Sequence, residues 1–269
     1  MKIANYLIKP FFSILVISSF SLVINAQEIS AVIEDIIVTA EKRTESLQDL
    51  SQAVTVLTSD DLDKKQISTF VDISAIAPGV NVAKNEGFKT VITIRGVGYE
   101  TNQNAIATPS VSYHLDGIYI ASPYSLQTEF MDLERIEVLR GPQGTLFGQN
   151  STGGAINVIT SAPSLEESSS YGDITIGDYS LIKTRASFNR PLSETLAVRA
   201  SFITHKRDGF TDNLSTGQDL DDADSISARV RFLYQPSETF RANFTAQIFD
   251  ENRNGSAQKG LLDTTTDPR

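Results

Sequence analysis

The chain contains no cysteine and no tryptophan, and only two histidines and two methionines in 269 residues. Without cysteine there is neither a disulfide framework nor a thiolate-ligated metal. His114 and His205 lie far apart and leave little for a histidine-based metal or haem centre, so no metal and no cofactor is expected. Positive charge is also short, with 23 Lys+Arg against 33 Asp+Glu and a net charge of −10. That sign is the opposite of what an exposed nucleic-acid face requires, so no nucleic-acid partner is expected. The single long apolar run, Phe11–Ile24, falls short of the ~20 residues that a helical membrane span needs. Preceded by Lys2 and Lys9 and followed by Asn25-Ala26, it reads as a secretory signal over residues 1–26, with Ile24 leaving the cleavage point open. The remainder, at 40% hydrophobic, 21% charged and 16 Gly, has the composition of a folded chain with room for one or two cores.

Its most distinctive stretch is Asp132–Thr160, DLERIEVLRGPQGTLFGQNSTGGAINVIT. Leu133, Ile136 and Val138 begin a strand that breaks at Arg140-Gly141-Pro142. Gly144, Gly148, Gly153 and Gly154 follow, and Ala155–Ile159 resumes the strand pattern. A phosphate cradle does not fit. The Walker pattern needs Lys-Ser/Thr after its last glycine, where this chain has Gly154-Ala155, and the dinucleotide fingerprint needs three glycines opening a helix. The glycines read instead as turn and close-packing positions.

Upstream, Ile36, Ile37, Val38, Thr39 and Ala40 form a β-prone run with acids before it and charges after it; alone, it reads as a short strand. Ala53–Leu57 predicts a strand, Ser59 or Asp60 can cap a short helix through Lys65, and Phe70, Val71, Ile73 and Ile76 predict a second helix within Ser68–Ala77, stopped by Pro78-Gly79. Thr90–Arg95 alternates as a strand into Gly96. Pro109–Ile120 reads as a hairpin with Asp116-Gly117 at its tip, where both central positions need positive φ. His114, alone on that hairpin, is expected to be solvated or hydrogen-bonded rather than a ligand. Residues 84–89, 98–108 and 121–129, with Tyr99, Gln103 and Tyr124, are polar loops.

Beyond Pro163 the chain alternates with period two. Ile182, Thr184, Ala186 and Phe188 oppose Lys183, Arg185, Ser187 and Asn189. Leu196, Val198, Ala200 and Phe202 oppose Arg199 and Ser201. The pattern recurs over Ile226–Tyr234 and Phe240–Ile248, and a first strand is expected at Ser169–Ile176, making five. Short turns at Pro191–Glu194 and Pro236–Glu238 alternate with the longer acidic Arg207–Asp222 connection. Alternation by itself fits either an outer-membrane barrel or a sandwich with one wet face. Asp219, Asp221, Asp222 and Asp224 lack the spacing of an EF-hand loop and read as solvated.

The segments LERIEVLRGPQGTLFGQNSTGGAINVIT and QISTFVDISAIAPGVNV resemble the plug domain of TonB-dependent outer-membrane receptors. The resemblance implies a mainly β fold with a small α+β plug, followed by the first five or so antiparallel strands of a barrel of about 22. It divides the chain into a signal peptide (1–26), a flexible N-terminus carrying a TonB box (27–45, box 36–40), a plug (46–162) and the start of the barrel (163–269). An open strand edge is not viable in a bilayer, so the chain is expected to be the N-terminal part of a longer receptor. The spacing before Ile36 leaves no room for a signalling domain. Ile36–Ala40 would pair with TonB by strand addition, driven by the inner-membrane energising complex. Arg95 and Arg140 would clamp plug to barrel glutamates lying past residue 269. Gly96, Gly141, Gly144, Gly148, Gly153 and Gly154 would shape the plug turns, and Tyr99, Gln103 and Tyr124 would touch the ligand. Such a protein is not an enzyme. Its partners would be TonB, outer-membrane lipid and a scarce nutrient such as a ferric siderophore. A secreted β-rich enzyme or adhesin, or a non-transporting receptor remnant, are the rival readings.

Overall fold

The structure, a computed structural model, describes residues 37–38, 45–46, 53–85, 89–98, 108–122, 126, 128–214 and 216–257. The expected leader lies outside them. Near the N-terminus, β1 (Ile37–Val38) pairs antiparallel with β2 (Glu45–Ser46).

β3 (Val54–Thr58) runs directly into α1 (Ser59–Lys64). The cap is Thr58, one residue before Ser59 and two before Asp60. Its hydroxyl accepts the Asp61 N–H at 3.2 Å while the Asp61 carboxylate accepts the Thr58 N–H at 3.2 Å, a reciprocal capping box. Thr69 and Asp72 repeat the device on α2 (Phe70–Ile73). This helix is shorter than the 68–77 pattern predicts. Its ladder tightens to i→i+3 bonds from Ser74 N–H to Val71 O and from Ile76 N–H to Ile73 O, and the chain turns out at Gly79.

β4 (Val80–Asn85), β5 (Lys89–Ile94) and β6 (Val97–Gly98) form a small antiparallel sheet. β7 (Val111–Leu115) and β8 (Ile118–Tyr119) make the hairpin expected around Asp116 (φ 49°) and Gly117 (φ 80°). β9 (Leu133–Arg140), α3 (Gly144–Phe147) and β10 (Gly154–Thr160) complete a five-stranded sheet in the order β3-β9-β10-β7-β8, with β10 and β7 parallel. Ile136, Val138, Ile156 and Val158 turn one face of this sheet into the core, where Phe70 meets Tyr113 and Phe130 edge-to-face at 5.0 and 4.8 Å.

The remaining strands are long: β11 (Ser169–Gly177), β12 (Leu181–Pro191), β13 (Leu196–Arg207), β16 (Ala223–Ser237) and β17 (Phe240–Glu251) form one antiparallel sheet in that order. The connection after β13 carries a two-residue ladder of β14 (Thr211–Asp212) and β15 (Asp219–Leu220). Its acids are more than solvated: Asp221 accepts from the Thr211 hydroxyl at 2.7 Å and Asp222 from the Asn254 N–H at 2.8 Å.

This sheet is inside-out. Phe188, Phe244 and Ile248 are 58%, 62% and 67% exposed, whereas Asn189, Ser201 and Arg229 on the opposite face are 3%, 5% and 5% exposed. A soluble sandwich buries its apolar face. Here the polar face is buried against the mixed α/β region and the apolar face is bare, which fits lipid. Among the described residues the two outer strands, β11 and β17, each leave one edge unpaired, a partial, unclosed barrel wall.

Candidate functional site

The two regions meet along a seam of charge, and the charges are placed by strand parity. Lys183, Arg185, Arg199, His205, Arg229 and Arg231 all fall on the inward face of β12, β13 and β16. Lys183 stands opposite His205, and Arg199 opposite Arg231. The like charges of Arg199 and Arg231 repel across their strand pair, so this wall calls for carboxylates from outside the sheet.

The mixed region supplies four. Glu129 takes both Lys183 and His205. Asp132 receives the Arg199 fork, Nε at 2.7 Å and Nη2 at 2.5 Å, together with the Ser201 hydroxyl. Asp63 on α1 lies 3.2 Å from Arg185, which also holds Asp173 at 2.7 Å and the Tyr171 hydroxyl at 3.1 Å. Asp116, at the hairpin tip, accepts the Thr160 N–H at 2.8 Å and its hydroxyl at 2.7 Å, and faces Arg231 at 3.8 Å. Backbone carbonyls complete the seam: Arg229 donates to Met131 O at 3.1 Å, and Arg231 to Thr160 O at 3.0 Å and Ser161 O at 3.2 Å.

Burial by itself would raise the Glu129 and Asp132 pKa values. His205 and Lys183 around Glu129, and Arg199 with Ser201 around Asp132, outweigh that and hold both carboxyls below their ordinary range. Both are therefore anions at neutral pH, and the seam is a set of charge-assisted, directional bonds.

The sequence-predicted site residues are distributed differently. Arg140 donates to Ala53 O at 3.4 Å and to Pro78 O at 3.5 Å, staying within the mixed region. Arg95 is exposed, with a left-handed φ of 53° and its N–H on Gly79 O at 2.7 Å. Neither touches a carboxylate among the described residues. Of the turn glycines, Gly96, Gly141, Gly148 and Gly154 have positive φ, and Gly144 opens α3. At Gly153 and Gly154 the requirement is space: a Cβ would fall 2.9 Å from Val97 Cγ1 and 2.4 Å from Leu139 O. Of the expected TonB box, Ile37 and Val38 are described by their backbone, one edge of which is taken by β2. Ile36, Thr39 and Ala40, and the ligand candidates Tyr99, Gln103 and Tyr124, lie outside the described residues. His114 is not solvated: it is 4% exposed, its ring 5.0 Å from that of Phe147. The basic half of the seam was visible in the sequence as polar-face residues. The acidic half, spread over a helix, a hairpin tip and a loop, carried no pattern.

A small mixed domain held by ion pairs on the polar face of an antiparallel wall, whose other face is apolar, is a plugged outer-membrane barrel in its first strands. Residues 46–155 match the family model described as TonB-dependent Receptor Plug Domain. The pesticin receptor of Yersinia pestis is 31% identical over 204 residues, covering 72% of this chain and 29% of its own length. The vitamin B12 transporter of Vibrio vulnificus is 25% identical over 254 residues, covering 91% of this chain and 37% of its own. The crystal structure of the ferric yersiniabactin uptake receptor of Yersinia pestis shares the fold, with a TM-score of 0.64 at 24% identity over 73% of this chain and 31% of that one. The chain belongs to the TonB-dependent outer-membrane receptors. It spans about a third of the length of the curated relatives it matches.

Proposed function

We propose that this chain is the plug-bearing part of a receptor that takes up a scarce nutrient, foremost an iron–siderophore complex, across the outer membrane with energy delivered through TonB. The observation that carries the reading is the seam itself. A plug held to the wall by a few directional ion pairs is retained at rest and released by a pull, without covalent chemistry. We divide the chain into signal peptide (1–26), N-terminus with TonB box (27–45), plug (46–162) and barrel start (163–269). Ile36–Ala40 offers main-chain groups for strand addition by TonB, and Arg95 and Arg140 stand ready for glutamates elsewhere on the barrel. Vitamin B12 is the second reading for the cargo, favoured by the similarity to a B12 transporter over 91% of this chain.

Iron-starved cells producing the full receptor provide the test. Ferric siderophore uptake should require TonB and be lost on deleting residues 36–40; uptake that persists without TonB overturns the reading, and uptake of cobalamin alone replaces the cargo. At the peptide level, Glu34–Arg43 should bind a TonB C-terminal domain and its Val38→Pro form should not, because proline removes the ladder N–H. Equal binding by both peptides sinks the TonB-box assignment.

A further inference from the structure

A second feature lies at the end of the wall that bears the long Asp208–Asp222 connection. There a cavity of about 180 Å³ opens between plug and wall, lined among others by Lys84, Thr90, Glu129, His205, Arg207 and Arg253. Its charges do not balance. Glu129 is already engaged by Lys183 and His205, and Arg253 is paired with Glu251. Lys84 and Arg207 have no carboxylate partner among the described residues. Arg207 gives Nη2 to the Asp221 carbonyl at 2.6 Å and lies 4.9 Å over the Phe210 ring, contacts that leave its charge uncompensated.

Hydrogen-bonding capacity is also left unused, on both sides: Glu129 Oε2 and Glu251 Oε1 make no hydrogen bond but each faces a cation, Lys183 and Arg253, whereas the donors have no such partner. The Thr90 hydroxyl, in a side chain 3% exposed, is buried without a partner, and so are the Nε atoms of Arg207 and Arg253. Burial, then the neighbouring Arg253 and Arg207, push the Lys84 ammonium below its ordinary pKa, against the pull of Glu251 and Asp221. Lys84 itself is exposed and hydrated at the mouth, but the half-buried Arg207 and three unpartnered buried donors around one small cavity are costly unless an acceptor with several oxygens enters.

We propose that this cavity binds an oxyanion, a carboxylate or phosphate group, free or as the anionic arm of a larger solute. It faces the lumen, so the anion comes from solution and not from a lipid headgroup. This inference goes beyond the uptake reading and needs neither TonB nor a siderophore, so its failure would leave that reading intact.

The test is isothermal titration of the full receptor, purified in non-ionic detergent free of lipopolysaccharide, with citrate and with inorganic phosphate at matched ionic strength. One saturable site for at least one anion is expected. The Lys84→Gln/Arg207→Gln double variant should bind about tenfold or more weakly, since each charged hydrogen bond contributes about 1.5–3 kcal/mol. Lys64→Gln, an exposed lysine paired with Asp60, should bind as wild type. No saturable binding of either anion, or equal binding by the folded double variant, overturns the proposal. If the double variant does not fold, the near-isosteric Thr90→Val decides: several-fold weaker binding supports the site, and unchanged binding overturns it.

Discussion

Asp132 concentrates the chemistry of the seam in one side chain. It sits just before β9 with φ 50°, a left-handed conformation that aspartate tolerates better than most residues, and its carboxylate takes the Arg199 fork and the Ser201 hydroxyl. Arg199→Gln leaves a mostly buried charge without its partner, which should cost about 3 kcal/mol of plug docking. Asp132→Asn in the same protein should recover part of it. Protease protection of the plug across a urea series measures both, and a double-mutant cycle with no coupling would show the pair to be incidental. The same carboxylates predict a pH dependence. The folded pKa values of Glu129, faced by Lys183 and His205, and of Asp132, faced by Arg199, are depressed. Their contribution is therefore complete above the ordinary carboxyl range of about 4 and is lost as pH falls through the depressed values. Plug protection should hold from neutral pH down to about 4 and fall below it; protection that improves in acid would reverse the assignment.

Among elements, the wall strands show how far a period of two carries. The outward set Ile226, Val230, Phe232 and Tyr234 and the inward set Ser227, Arg229 and Arg231 on β16 were separable from the sequence, because successive side chains in a strand must point to opposite faces. Val230 lies midway along its ladder, between Ala200 and Ala246. Val230→Arg should impair assembly by about 2–4 kcal/mol if that level is the bilayer midplane, read as the loss of the heat-shifted mobility of the folded receptor. Refolding as efficient as wild type would place this face away from lipid. The Asp116-Gly117 turn was equally legible, since few dipeptides accept positive φ at both positions. The cap of α1 was off by one because Thr58 could have ended β3 or begun the helix, and only its reciprocal bond with Asp61 decides between them.

At the scale of the molecule, plug and wall are electrostatic complements. The wall faces Arg199 with Arg231, and the plug's Asp132, Asp116 and Thr160 relieve the repulsion. A receptor lacking residues 46–162 would present that cationic face to lumen water. Replacing Arg199 and Arg231 by glutamine in it should shift the reversal potential across a planar bilayer toward cation preference, since lumen charge sets which ion is concentrated there. An unchanged potential would mean that these arginines do not line the open pore.

What the sequence determined by itself is whatever local rules govern: the strands, from alternation; the hairpin, from Asp-Gly; the glycine-rich turn unit, from its spacing; and the family, from two long segments. The tertiary structure decided which charges meet. Asp63, Asp116, Glu129 and Asp132 lie on a helix, a turn and a loop, and their wall partners are from 54 positions away in the chain (Glu129 to Lys183) to 122 (Asp63 to Arg185). No periodicity links such residues, because an ion pair depends on distance in space, and that distance exists only once the plug has settled on the wall.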